Sequence, residues 1–164
     1  MTLGGRRGRV VALCHGGPYL VHRQRVIGLS QYFCGPDDDD RLVFTTCLLG
    51  RDSDDENHAL LRRVLREHDD VVGIYNAGGG HAGVDRALRE CRRPGEVVHV
   101  GHELSPGTRR SLEDGFMALA IDQAPEMQVR RAVEAMESMV GLRDGPPDRS
   151  PVPFRIITPG NLDG

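Results

Sequence analysis

Arg23, Asn76, Glu103 and Gln123 supply a guanidinium, an amide, a carboxylate and a second amide. Arg23 opens the helical pattern after the first β-rich run, and the other three each close or follow such a run. The set mixes donors with acceptors. A neutral polyol needs that mixture, because each hydroxyl both gives and accepts a hydrogen bond. His22 and Arg25 flank Arg23, His102 precedes Glu103, and Asp122 precedes Gln123. Singly, each reads as a loop or helix-cap residue; their recurrence after successive strands makes them a set.

A rival lies between them. Gly78, Gly80 and Gly83 satisfy G-x-G-x-x-G after a strand and before a helix, and Glu103 lies twenty residues past Gly83. That is the spacing of a dinucleotide-binding fingerprint, and so of an oxidoreductase domain using Gly78–Gly83. Two features oppose it. Tyr75 and Asn76 stand between the apolar run and the glycines, and two βα units precede a motif that usually sits on the first. Other catalytic patterns are weaker still. His15, His22, His81, His99 and His102 are dispersed, no serine sits in a G-x-S-x-G elbow, and neighbours His102 and Glu103 would point opposite ways on an extended segment. No catalytic residue is assigned, and the chain is not read as an enzyme.

The elements that must carry these residues alternate from end to end. Strands are expected at 9–14, 42–49, 71–75, 97–100, 117–121 and 154–158, where β-branched and apolar residues concentrate. Helical spacing fills 22–33, about 53–68, about 83–91, a short stretch from Ser105-Pro106 to near Gly115, and a longer one from Pro125 through Val140. Ser53 and Glu56 have the spacing of a capping box, and Pro106 suits a first helical turn. Met127 and Met136 sit at helical spacing as core or interface filler rather than as a metal box. The fold class is α/β, a three-layer, mostly parallel sheet with helices on both faces. The whole chain, 1–164, reads as a single lobe: a βα core over 9–123, then a crossover helix and final strand over 124–164. Ligands of such sheets gather at the carboxyl ends of the strands, where the four residues lie.

Composition narrows the partners. The chain has 164 residues, a net charge of −3 and 4% aromatic residues with no Trp, which excludes a domain-wide basic footprint or a stacking platform for nucleic acid. All 21 basic residues are Arg, a bias that codon composition explains and that removes any chemistry needing lysine. Asp37–Asp40 reads as a solvated acidic turn after Gly35-Pro36. Cys14, Cys34, Cys47 and Cys91 lack C-x-x-C spacing, so no metal ribbon or disulfide framework is expected and a reducing cytoplasm fits. The run Val10–Cys14 is too short for a signal sequence, and no window reaches a membrane span. No cofactor and no metal are called for.

Four segments make the sequence familiar: VVALCHGGPYLVHRQRVIGL (10–29), VVGIYNAGGGHAGVDRAL (71–88), VVHVGHELSPGTRRSLEDG (97–115) and AIDQAPEMQVRRAV (120–133). In order and spacing, from Gly8 to about Leu162, the chain resembles the effector-binding domain of LacI/GalR transcription regulators and the sugar-binding proteins of the periplasmic type I fold. The resemblance implies one lobe of that fold, the second. It also implies ligand contacts at Arg23 (the arginine opening the first helix), Asn76 (ending the third strand), Glu103 (within Gly101-His102-Glu103) and Gln123 (before the last long helix). The implied partner is a small-molecule effector, a sugar or polyol. The implied setting is a LacI-type regulator, with the solute-binding lobe of a sugar ABC uptake system as the alternative.

Departures qualify the match. Glu103 replaces the commoner Asp and reaches one methylene further. The loop 50–54 lacks the aromatic that often stacks on a sugar, and a triple glycine replaces a polar start to the third helix. The helix-turn-helix headpiece of such regulators has no counterpart here, so DNA binding is expected only through an absent headpiece, in a parent protein that is a homodimer. A lone second lobe should also expose apolar residues of its last long helix, near Met127, Val133, Met136 and Met139.

Overall fold

The computed structural model describes residues 5–17, 19–34 and 41–162. The acidic run Asp37–Asp40, and Pro18 of the loop after the first strand, lie outside them. Six strands form one sheet in the order β2-β1-β3-β4-β5-β6: β1 (Gly8–Cys14), β2 (Leu42–Leu49), β3 (Val71–Asn76), β4 (Val98–His102), β5 (Leu119–Asp122) and β6 (Arg155–Ile157). Between them run α1 (Leu20–Phe33), α2 (Asp54–Glu67), α3 (His81–Cys91), α4 (Pro106–Glu113) and α5 (Pro125–Met139).

The first five strands are parallel, joined by helical crossovers. The sheet is mostly parallel, as expected, with one antiparallel strand at its edge. β6 runs antiparallel to β5, because the chain leaves β5 through α5, turns back through the Gly- and Pro-rich stretch 141–153, and re-enters from the opposite end. β4 also reaches two residues beyond the predicted 97–100, so Gly101 and His102 belong to the strand.

Strand alternation divides the apolar residues between two faces. Val11, Leu13, Leu48 and Ile74 pack against Leu61, Val64 and Leu65 of α2 and Val84, Ala87 and Leu88 of α3. Both helices segregate their apolar residues onto the face that meets the sheet. On the other face, Val10, Tyr75, Val100 and Ile121 meet Leu29 and Phe33 of α1 across an open cavity of about 300 Å³. The helices therefore flank the sheet on both sides. A smaller cluster of Leu112, Met117, Ala120 and Ile157 closes the β5–β6 edge.

Helix starts follow their local chemistry. Ser53 Oγ accepts the Glu56 amide at 3.3 Å, with Asp54, Asp55 and Glu56 in the first turn, where the helix dipole favours anions. Ser105 and Thr108 cap α4 reciprocally, with Pro106 in its first turn. α5, like α1, has no buried residue, and its Met127, Val133, Met136 and Met139 are 39%, 42%, 58% and 82% exposed. The apolar face expected of the last long helix is therefore uncovered.

These packing differences predict different mutational costs. Leu61→Ala, at a fully buried position, is expected to lower unfolding stability by about 3 kcal/mol. Met136→Ala should change it by less than about 0.5 kcal/mol. Urea denaturation of the two variants checks both values.

Candidate functional site

The carboxyl ends of β1 to β5 lie along one margin of the sheet, and the turn after β3 is the most heavily braced part of it. Asp52, in the turn after β2, accepts the Gly79 amide through Oδ1 at 2.8 Å, and Asp54 accepts the Gly83 amide at 3.1 Å. Buried Asn57 of α2 donates to the Gly79 and Gly80 carbonyls at 3.0 and 3.1 Å. Asn76 donates to the Gly79 carbonyl at 3.0 Å and receives the Gly78 amide at 3.3 Å. Glycine is required where α2 comes closest. Gly80 is left-handed at φ 69°, and a Cβ there would lie 2.2 Å from Asn57 Nδ2. At Gly83 a Cβ would lie 1.8 Å from the Asp54 carbonyl oxygen. Small residues thus let α2 and α3 close on each other.

This bracing opposes the dinucleotide reading of Gly78–Gly83. A pyrophosphate needs free amides at the start of the helix. Here the amides of Gly78, Gly79 and Gly83 are taken by side chains, and two of those side chains are carboxylates that repel a phosphate.

From the other side, α1 reaches across the crevice between β1 and β3, the point where the strand order reverses. Arg25 Nη1 donates to the Ala77 carbonyl at 2.8 Å. His22 stands against Gly78, with Nδ1 3.9 Å from Asp52 Oδ1. Arg23, exposed on the same helix, lines an open cavity of about 210 Å³ together with Cys14, Gly16, Gly17, Tyr19 and His22. Below the crevice, the Tyr75 hydroxyl and His102 Nε2 share a hydrogen bond at 2.9 Å.

At the far margin, Gln123 Nε2 donates to Glu103 Oε1. Glu103 has φ 66°, so it does not continue the extended strand as expected for His102-Glu103. The backbone turns at that residue: its amide bonds the Ile121 carbonyl at 3.0 Å, and its own carbonyl accepts the Thr108 hydroxyl at 2.8 Å. Among the described residues, the non-glycine positions with positive φ are Arg51, Asp52, Glu103 and Ala124. All four lie just past the carboxyl ends of β2, β4 and β5. Strained backbone of this kind gathers where side chains must be aimed. Asp122 is not part of this margin's free chemistry, because Arg155 of β6 pairs with it through Nε at 3.0 Å and through Nη2.

Burial sets the charge state. It holds His99 and His102 down to about 4, with Arg25 adding to the effect at His102. It also lowers His22 and His81, against the opposing pull of nearby Asp52 and Asp54. Burial raises the Tyr75 hydroxyl. At neutral pH the floor of the site is therefore uncharged imidazole and phenol. Among the described residues, no group of three or more His, Cys, Asp or Glu is arranged to hold a metal ion.

The structure brings Glu103 and Gln123 into direct contact, and it places Asn76 inside the glycine turn, where it is fully buried and also bonds His81 at 3.1 Å. Arg23 sits apart, over the end of β1. Three inter-strand steps separate β1 from β5, or about 14 Å at the usual strand spacing. Sequence reasoning missed Asp52 and Asn57, whose roles depend on a neighbouring turn. The signal available for Asp52 was a polar residue following a strand, as at the other strand ends.

A family model described as "Periplasmic binding protein domain" matches residues 2–143. The chain belongs to this periplasmic binding protein domain family. Solved structures agree on the fold. The ABC transporter solute binding protein of Burkholderia graminis C4D1M, in complex with D-arabinose, matches with a TM-score of 0.82 at 18% identity, covering 98% of this chain and 56% of that one. One from Actinobacillus succinogenes 130z with bound D-allose gives 0.80 at 18%, covering 96% and 55%. GanP, a glucose-galactose binding protein from Geobacillus stearothermophilus, gives 0.76 at 20%, covering 97% and 55%. The periplasmic binding protein domain described here thus spans little more than half the length of these structures. No curated protein sequence matches the chain significantly.

The depressed histidines give this domain a stability that depends on pH. Below the ordinary histidine value of 6.5, the unfolded chain takes up protons that His99 and His102 refuse in the fold until about 4. Stability is therefore full above pH 6.5 and falls as pH drops toward 4, by about 2 kcal/mol for each of the two at pH 5. Urea denaturation at pH 7.5 and pH 5.0 should show this loss. His99→Leu should remove about half of it, and an unchanged pH difference in that variant would contradict the assignment.

Proposed function

We propose that the chain is one lobe of a two-lobed cleft that binds a small polyhydroxylated solute of the sugar class. The observation that carries the reading is the Glu103–Gln123 pair, aimed by a left-handed residue from the ends of β4 and β5 in a periplasmic binding protein domain. A carboxylate and an amide side by side offer acceptors and donors to adjacent hydroxyls. Arg23 contributes from the opposite margin, and Asn76 acts by fixing the turn between them. The role is binding rather than catalysis.

The sugar-binding structural neighbours support the setting of a solute-binding lobe in an uptake system. A second setting, the effector lobe of a LacI-type regulator, is favoured by the four sequence segments and by four free cysteines, which suit a cytoplasmic location. DNA contact would then come from a headpiece outside this chain, in a homodimeric parent. In either setting a solute bridging two lobes favours the closed arrangement, and that population shift is the signal. The uncovered apolar face of α5 suits packing against the companion lobe.

With half of the contacts absent, the chain alone should bind weakly. Titration of the isotopically labelled chain with D-arabinose, D-allose, D-glucose and D-galactose is expected to shift amide resonances around Glu103, Gln123 and Arg23 in the millimolar range for at least one sugar. Glu103→Ala should abolish the response. Absence of any shift at these residues at saturating sugar would overturn the reading. Neighbouring genes separate the two settings: a permease and ATPase mark uptake, and an adjacent operator marks regulation.

A further inference from the structure

Cys14 closes β1, and Cys47 lies on β2 level with Ala12, two residues before the Leu49 that pairs with Cys14. Their Sγ atoms are 3.2 Å apart and share a thiol hydrogen bond. Strand alternation turns both thiols to the α1 face, away from Leu13 and Leu48 in the core beneath α2 and α3. Cys14, though buried, lines the open cavity beside Arg23 and His22, and half-buried Cys47 adjoins it. The other two cysteines lie elsewhere: Cys34 is exposed at the end of α1, and Cys91 of α3 packs on the opposite face of the sheet.

We infer that Cys14 and Cys47 form an oxidisable dithiol, a reversible disulfide site at the floor of the Arg23 cavity that takes an oxidant of the peroxide class. The two sulfurs stand little more than about 1 Å beyond bonding distance. Their two-residue offset across neighbouring strands, about 8 Å between Cα atoms, requires the end of β1 to shift toward β2 as the bond forms. Burial and the neighbouring Cys14 push the Cys47 thiol up to about 12, so it keeps its proton. Cys14, facing the cavity, is the sulfur that attacks. It displaces one peroxide oxygen, which leaves with the thiol proton as water, and Cys14 becomes a sulfenic acid. The Cys47 sulfur then attacks Cys14 and expels the hydroxyl, which leaves with the Cys47 proton as a second water. Two thiols and one peroxide thus give one disulfide and two waters: each sulfur loses one electron, and the peroxide bond gains two. The link ties the end of β1 to β2 directly beneath the loop that carries Gly16 and Gly17 into the cavity. It does not depend on which solute the site binds.

Hydrogen peroxide treatment of the purified Cys34→Ser chain, followed by thiol titration and non-reducing peptide mapping, tests the inference. Titratable thiols should fall from three to one. The peptides carrying Cys14 and Cys47 should be joined with the loss of two hydrogens, and dithiothreitol should restore both. Cys47→Ser should stop at a sulfenic acid on Cys14 that dimedone traps; Cys47→Ala serves the same purpose if the serine variant does not fold. Three persistent thiols after excess peroxide, or a link that includes Cys91, would overturn the inference.

Discussion

Carboxylates from one βα turn hold the amides of the next, and the rest of the strand-end margin follows from that contact. Asp52 and Asp54 take the Gly79 and Gly83 amides while Asn57 takes the Gly79 and Gly80 carbonyls. Asn57 is buried, so an amide there without partners would cost about 1–3 kcal/mol. The fixed turn then presents Ala77 to Arg25 and Asn76 to His81, and His81 in turn sits against Gly101 of β4. Contacts thus run unbroken from the end of β2 to the end of β4.

The same bracing gives the site its chemical character. The Gly78, Gly79 and Gly83 amides are taken, the imidazoles beneath are neutral, and the polar side chains outside the braced turn stand at the two margins. Arg23 occupies one. Glu103 and Gln123 occupy the other, where positive φ at Glu103 and Ala124 bends the backbone off β4 and β5. Strain confined to strand ends is what a rigid sheet allows: its interior is fixed by ladders and packing, and only the turns can deviate to aim a side chain.

Much of this was legible in the sequence. Apolar runs of four to eight residues and helical spacing located every strand and helix to within a few residues, because burial imposes the period directly. The exposed apolar face of α5 was expected on other grounds, from the resemblance to one lobe of a two-lobed fold. The antiparallel β6 was not, since nothing in Arg155–Ile157 encodes direction. Glu103 and Gln123 stand out in the sequence as polar residues following apolar runs, and the fold brings them into contact. Asn76 was found by the same rule, yet it turned inward, because the glycines after it leave backbone groups that its amide satisfies. Asp52 and Asn57 escaped because their partners lie 27 and 22 residues away, at a turn that only the fold brings near.

Amide hydrogen exchange at Gly79 and Gly83 tests the bracing most directly. At neutral pH both amides should be strongly protected in the native chain. Both should lose that protection in Asn57→Ala, while amides of β1 such as Leu13 keep theirs. Exchange of Gly79 and Gly83 at the rate of an open chain in the unsubstituted protein would contradict the account.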